Sequence, residues 1–352
     1  MLYICVSFDY ELFMGENRCS EKGVLIEPTN KLIKSLSEIG VSGTFFADVC
    51  CPVRYRELGR TDFADLFDKQ LCDLVRSGQD VQLHIHPHWL KTTEIGSHVE
   101  FDRASYRIHN WADGEDYHKV DEIIRDGKEY LLRLLAPLFP EYACIAFRAG
   151  GYCLQPEKKL IPILRKNGIL IDSSVCRGFA HDGDGMLYDY TSEPKAFNLY
   201  MNGEFGLSDN CADSLPDGVF EVPIGGYATF PNRMIASKLN KPISKQPANG
   251  YGMQLEKRSV PTDFFSKLRR HLTATNMLTY DFYHADSMTY MLNRIAREEK
   301  CARNDIFIST ISHPKGMSDA HIENMVQSLC ELKKNPHIRF VNMREIAKIK
   351  NL

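Results

Sequence analysis

The sequence predicts an α/β protein whose parallel strands alternate with helices and close into a distorted (β/α)7–8 barrel. The main observation is a rhythm that runs along the whole chain. Short runs rich in β-branched and aromatic residues alternate with longer amphipathic runs, as in parallel β/α units. The second observation is size and composition, since 352 residues with 43% hydrophobic and 25% charged residues suit one such barrel. We therefore expect residues 1–352 to form a single barrel domain.

Eight strands and six helices are predicted in alternation. The strands are residues 2–9, 43–49, 80–86, 143–148, 169–173, 219–224, 306–313 and 338–342. The helices are residues 28–39, 62–76, 120–138, 157–166, 284–299 and 319–333, several of which end at Gly or Pro.

Three stretches break this alternation and are rich in Gly, Asn, Asp and aromatic residues. They are residues 90–119, 178–217 and 227–283, which we predict to be loop insertions. In barrels of this kind the loops that follow the carboxyl ends of the strands build the active site. The insertions are therefore expected to form walls around a substrate.

Charge and cysteine content exclude several classes of function. The formal net charge is −3 and no long basic run is present, so nucleic acid is not an expected partner. No run is apolar for long enough to span a membrane, and the first residues lack the features of a signal peptide, which predicts a cytoplasmic protein. Eleven cysteines without a C-x-x-C pair favour reduced thiols over a disulfide framework. The oligomeric state is not predicted.

Two carboxylates end the first predicted strand. Asp9 and Glu11 lie two residues apart, so on an extended chain they share one face. Side by side at the end of an apolar strand, they repel each other unless a cation or a shared proton is present. This pattern favours metal binding or acid–base chemistry, although a solvated acidic turn fits the same residues.

Three histidines occupy alternate positions at the end of the third predicted strand and just beyond it. His84, His86 and His88 share a face while the chain stays extended, and Pro87 ends the strand. Either His84 with His86 or His84 with His88 can bind one ion. Two histidines with one carboxylate form a common catalytic zinc set that leaves a position for water, and other divalent ions accept the same ligands.

These and later motifs resemble the polysaccharide deacetylases, carbohydrate esterase family four. The family's metal motif is a Gly followed six residues later by His-x-x-x-His, and Gly78, His84 and His88 have that spacing. Tyr10 stands where most members carry the metal-binding aspartate, so Glu11 would take over that role from the following position. The motifs occur in the family's order, at residues 7–11, 40–46, 78–88, 147–152, 171–174 and 311–314.

The resemblance implies a ligand set for one divalent ion. Glu11, His84 and His88 would hold the metal, with zinc expected before other transition metals. His86 is an extra imidazole that either replaces His88 or contacts the substrate. The resemblance further implies that a backbone N–H near Gly151 and Tyr152 stabilises the oxyanion.

The same resemblance assigns the proton transfers. Asp9 would be the general base, and Arg148 would pair with it and keep it ionised. His313 would protonate the leaving amine, with Asp172 keeping that imidazole oriented and charged.

The resemblance also implies the reaction and the class of substrate. The expected activity is hydrolysis of an N-acyl group, acetyl above all, from an amino sugar or glycan precursor used in surface polysaccharide biosynthesis. One alternative is a metal-independent amidase acting on a small cyclic ureide or another non-sugar amide. Another is an inactive relative that only binds glycans, which the full set of catalytic side chains argues against.

Overall fold

The structure is a computed structural model that describes residues 1–13, 20–95, 98–192, 197–211, 214–228, 275–281, 285–299 and 305–352. Strands β1 to β16 are Leu2–Cys5, Ser7–Tyr10, Thr44–Asp48, Asp80–Ile85, Thr93–Ile95, His98–Glu100, Ala146–Ala149, Ile171–Asp172, Ala180–Gly183, Met186–Asp189, Leu199–Met201, Val219–Glu221, Gly226–Ala228, Thr275–Met277, Ile306–Ser309 and Ile338–Phe340. Helices α1 to α8 are Glu27–Glu38, Cys50–Glu57, Thr61–Arg76, His118–Leu135, Glu157–Lys166, Ala285–Glu299, Asp319–Leu332 and Met343–Lys350.

The strands form a closed and distorted barrel, as predicted. Strands β2, β3, β4, β7, β8 and β12 pair in parallel in that order. Strand β1 pairs in parallel with β15 on one side and β16 on the other. Two bridges close the ring, because Phe8 pairs with Ser312 and Ile224 pairs with Ser309.

The barrel strands are buried on both faces, as expected when helices cover a parallel sheet. Every residue of β2, β3, β4 and β7 is buried. Outside them, α3 presents Phe63, Phe67, Leu71 and Leu74 at helical spacing toward the sheet. The apolar stripe of the helix therefore packs against the apolar outer face of the strands.

Most predicted elements are present, with shorter strands than expected. The strand predicted at 2–9 is divided at Val6, and the one predicted at 143–148 begins at Ala146. Helix α2 was not predicted because its sequence has no apolar stripe at helical spacing, and α8 was not predicted either.

The predicted insertions contain short antiparallel hairpins. Strands β5 and β6 pair within the first, and β9 and β10 within the second. Strands β13 and β14 pair at the two ends of the third, whose central residues 229–274 lie outside the described residues. The assignment of 1–352 to one domain stays a prediction. Among the described helices, none has the length and apolar composition that crossing a membrane requires.

Candidate metal and acid–base site

The candidate site lies where the carboxyl ends of the barrel strands meet. Lateral pairing aligns Asp48 with His84 and His84 with Arg148, across β3, β4 and β7. Asp9 belongs to the neighbouring β2, and His313 follows β15. Parallel strands therefore bring together residues that are more than 300 positions apart in the chain.

Glu11 is the centre of the predicted metal cluster. Its Oε2 atom lies 3.2 Å from Nε2 of His84 and 2.5 Å from Nε2 of His86. Ligand atoms of these three side chains lie within 4.8 Å of one another, and all three residues are buried. A second set with the same spacing joins Asp9, Glu11 and His313.

The structure groups His86 with Glu11, where the family resemblance implied His88. The strand alternation continues through residue 86, so His84 and His86 share a face. Pro87 then begins a 3-10 turn, Pro87–Lys91, and the His88 ring lies edge-on to the His86 ring, with their centroids 5.4 Å apart. The His88 ring stacks on Tyr106 and Trp89, and neither of its ring nitrogens has a hydrogen-bond partner among the described residues.

Gly150 provides the space that the His86 ring occupies. A Cβ atom added at Gly150 would lie 2.7 Å from Nδ1 of His86 and 2.5 Å from the carbonyl oxygen of Ile85. Any larger residue would displace the ring or the strand. The glycine at position 150 thus fits a centre that uses His86.

These side chains fit a divalent ion. The Nδ1 atom of His84 is 2.8 Å from the carbonyl oxygen of Arg148, so it donates a hydrogen bond to that oxygen, and Nε2 faces Glu11. An imidazole nitrogen and a carboxylate oxygen facing each other in a buried site require a proton or a cation between them. Burial lowers the pKa of His84, but the charges of Asp9 and Glu11 outweigh burial and raise that pKa to about 9.

Arg148 holds Asp9, as the resemblance implied. Its Nη1 atom donates to Oδ1 of Asp9 at 2.6 Å, and its other donors bond to Ser173 and Ser309. The guanidinium is fully buried and stacks on the Phe46 ring. Burial alone raises the pKa of Asp9, but the charge of Arg148 offsets it and leaves that pKa below its ordinary value.

His313 lies beside this pair, and its partner is Asp281. The Nε2 atom of His313 is 3.7 Å from Oδ2 of Asp9, and its Nδ1 is 2.8 Å from Oδ2 of Asp281. The backbone N–H of His313 also donates to Asp281. Burial lowers the pKa of His313, but the hydrogen bond and charge of Asp281 outweigh burial and raise it.

Asp172 lies elsewhere, so it does not orient His313 in this structure. Its carboxylate accepts hydrogen bonds from the N–H and hydroxyl of Ser174, and it bonds to the carboxyl of Glu221. It belongs to β8, which pairs with β7 and β12. Asp281 makes the contact with His313 that the resemblance assigned to Asp172.

Gly151 and Tyr152 form a left-handed turn after β7. Their φ angles are 58° and 62°, and the Tyr152 carbonyl accepts a hydrogen bond from the Tyr190 hydroxyl. A Cβ atom at Gly151 would lie 2.6 Å from the Tyr106 ring, which belongs to the first predicted insertion. The insertion therefore packs directly on the turn that was predicted to stabilise the oxyanion.

Tyr10 lies outside the site. Its side chain is fully buried, packs on Phe67 of α3, and donates from its hydroxyl to Gln70. Strand alternation explains this position, because Asp9 and Glu11 point to one side and Tyr10 to the other. The helix layer therefore accommodates the tyrosine ring.

Three residues of the site were not predicted. Asp48 ends β3 and accepts the His86 N–H at 3.1 Å, and burial raises its pKa to about 6. Asp48 could have been predicted from the sequence, because the active-site residues of such barrels lie at the carboxyl ends of strands. Asp281 lies in the third predicted insertion, where no motif marks it, and Lys315 resembles a surface lysine after a strand.

Comparisons with known proteins return structural neighbours only. No family model and no curated protein sequence matches the chain. A structure from Mycobacterium smegmatis, named as a polysaccharide deacetylase, is 12% identical, with 99% of this chain and 89% of that chain covered and a TM-score of 0.49. One from Pseudomonas aeruginosa PAO1, also named as a polysaccharide deacetylase, is 11% identical, with 99% and 90% covered and a TM-score of 0.49.

A third neighbour has a different named activity. The Puue allantoinase structure is 11% identical, with 99% of this chain and 89% of that chain covered and a TM-score of 0.48. The support for a function of this chain therefore comes from the geometry of its own site.

Proposed function

We propose that this chain is a hydrolase that removes an N-acyl group, acetyl in the first instance, from an amino sugar or glycan precursor with one divalent metal ion. Zinc is the expected ion. The observation that best supports this is the approach of two imidazole nitrogens to one oxygen of Glu11, beside a carboxylate held by Arg148. Such an ion supplies a Lewis acid that polarises the acyl carbonyl and lowers the pKa of water toward neutrality.

The proposed ligands are Glu11, His84 and His86. Histidine-histidine-glutamate is a set that holds catalytic zinc and leaves a position for water or substrate. The Arg148 carbonyl orients His84, and Asp48 holds the backbone of His86. Partners of this kind fix the direction of the ligand rings.

The proposed proton transfers use the two groups next to this set. Asp9, kept ionised by Arg148, accepts the proton of the attacking water. His313, kept protonated by Asp281, donates a proton to the amide nitrogen as the C–N bond breaks. The products are the carboxylic acid and the free amine, and the turn at Gly151 and Tyr152 is the proposed oxyanion site.

The substrate we propose is an acylated amino sugar on a nucleotide or lipid carrier, or another building block of a surface polysaccharide. The support for the sugar is the resemblance of the motifs. We propose the cytoplasm as the compartment, since no disulfide links the cysteines in the described ranges, as reducing conditions require. Nucleic acid is not a proposed partner.

Elemental analysis of His86→Ala beside His88→Ala tests this function. Both variants remove a buried imidazole from the same strand end, but only His86 approaches Glu11. We expect one divalent ion per chain in the wild type and in His88→Ala, and loss of the ion on dialysis from His86→Ala. Hydrolysis of acylated amino sugars should follow the metal content, with folding checked by circular dichroism.

The contrary outcomes separate the alternatives. A wild type without metal, even after soaking, would reject the proposal and favour a metal-independent amidase, to be assayed with cyclic ureides. Metal binding with glycan binding but no hydrolysis would favour an inactive relative. Loss of metal from His88→Ala alone would return the ligand role to the residue that the family spacing implied.

A further inference from the structure

A buried lysine bonds to the proposed metal ligand Glu11. The Nζ atom of Lys315 donates to Oε1 of Glu11 at 2.6 Å and to the carbonyl oxygen of Leu12 at 3.1 Å. Its side chain is 11% exposed, and its ammonium lies 5.3 Å from the centre of the Phe13 ring. A buried ammonium is costly unless it is paired, so this contact fixes both side chains.

The two oxygens of Glu11 therefore have different partners. Oε2 faces His84 and His86, whereas Oε1 is held by Lys315. Lys315 lies in the turn Pro314–Gly316 after β15, and Glu11 follows β2, so the pair joins two strand ends that are adjacent in the barrel. The lysine thus determines which oxygen of Glu11 can be offered to an ion.

Asp9 is held in the same way. Arg148 bonds to Oδ1 of Asp9, which leaves Oδ2 3.9 Å from Nε2 of His84 and 3.7 Å from Nε2 of His313. Each of the two carboxylates thus has one oxygen bonded to a cation of the protein and one directed at the histidines. The second set with metal spacing, Asp9 with Glu11 and His313, shares the oxygen that Lys315 occupies.

We propose that Lys315 is a positioning residue that reserves Oε1 of Glu11, so that Glu11 can bind an ion through Oε2 alone. The site then takes one ion per chain, and a coordination position stays open for water or substrate. This inference rests on the proposed function, because it requires that Glu11 binds a metal.

Cobalt(II) provides the test, because its visible absorption reports coordination number. Four-coordinate cobalt(II) absorbs several-fold more strongly than five- or six-coordinate cobalt(II). In Lys315→Met both oxygens of Glu11 become available, so we expect the bound ion to gain a ligand and the visible absorption to fall several-fold. Removal of a positive charge should leave cobalt affinity equal or higher, while turnover falls by about 10- to 100-fold, as for other residues that orient metal ligands.

Two further variants serve as controls. Lys315→Arg keeps a cationic donor to Oε1, so it should retain most of the wild-type spectrum. Lys128→Met makes the same substitution at a lysine whose Nζ also donates to backbone carbonyls, those of Asn167 and Gly168, away from the site. Its spectrum, affinity and turnover should equal those of the wild type.

The outcomes distinguish this inference from the proposed function. No cobalt bound by the wild type would overturn the metal-dependent function itself. Cobalt bound by both proteins with the same spectrum would overturn the role of Lys315 and leave the function standing. Where Lys315→Met does not fold, Lys315→Ala gives a second measurement, since added propylammonium should refill the position and restore the intense spectrum. A spectrum that propylammonium does not change would count against the inference.

Discussion

Two buried carboxyl groups at the same end of the barrel have opposite electrostatic environments. Asp9 is 2% exposed and Asp172 is fully buried, and each lies near the carboxyl end of a parallel strand. Asp9 accepts a hydrogen bond from Arg148. Asp172 has Glu221 as its neighbour in register on β12, and the two carboxyls bond to each other.

The partners decide the direction of each pKa shift. Burial raises the pKa of every one of these groups, but only Asp9 has a bonded cation that brings its pKa below the ordinary value. Burial and the charge of Asp172 raise the pKa of Glu221 well above its ordinary value, so the pair shares one proton. Burial raises the pKa of Asp172 as well, against the opposing effect of its hydrogen bonds with Glu221 and Ser174.

This difference shows that burial alone does not produce a general base. An ionised carboxylate near a reacting water requires a cation to compensate its lost hydration. Asp9 has that cation and lies beside His84 and His313. The Asp172–Glu221 pair lacks a bonded cation among the described residues, and its geometry suits a structural role.

The largest expected effect separates the two aspartates directly. Asp9→Asn should lower turnover by about 10²- to 10⁴-fold while metal content stays near that of the wild type, because a general base contributes that much. Asp172→Asn, the matched substitution, should lower turnover by less than about tenfold. Steady-state kinetics and elemental analysis of the two variants give both quantities. Equal losses of turnover in the two variants would contradict a special role for Asp9 as the base. Loss of metal from Asp9→Asn would indicate that Asp9 is a metal ligand.

A smaller effect concerns the acid, His313. Asp281→Asn removes the charge that raises the pKa of His313, so the protonated imidazole is lost at lower pH. The alkaline limb of the kcat profile should move to lower pH by about one unit, with metal content unchanged. An alkaline limb at the wild-type position would show that His313 does not limit turnover as the acid.

The smallest effect concerns stability and the acid pair. The pKa of Glu221 is raised in the folded state, so its contribution to stability is complete below the pKa of the unfolded chain and declines as pH rises toward the folded value. In Glu221→Gln, the side-chain amide can still donate a hydrogen bond to Asp172, but it does not titrate. Above the ordinary pKa of a glutamate, we expect the stability of the variant relative to wild type to rise with pH, by at most about 1.4 kcal/mol per pH unit, until the pH reaches the raised pKa of Glu221. Denaturant unfolding of both proteins across this range measures the difference, and parallel stability curves would contradict a shared proton.

The two aspartates also show what the sequence motifs can predict about site residues and what they cannot. Asp9, Arg148 and His313 were assigned from strand ends in the right order, and the structure brings them together. Asp172 was assigned by the same order, yet its side chain faces Glu221. A motif fixes the position of a residue along a strand but does not identify the residues that pack against it.

The sequence by itself determined the alternation of strands and helices and the strand ends that carry Asp9, Glu11 and the histidines. Hydrophobic periodicity and residue spacing are local properties, so they can be recognised without the fold. Only the tertiary structure decided that His86 joins Glu11, that Asp281 partners His313, and that Lys315 holds Glu11. These choices depend on the direction of a turn after Pro87 and on contacts across about 300 residues, which arise only when the barrel closes.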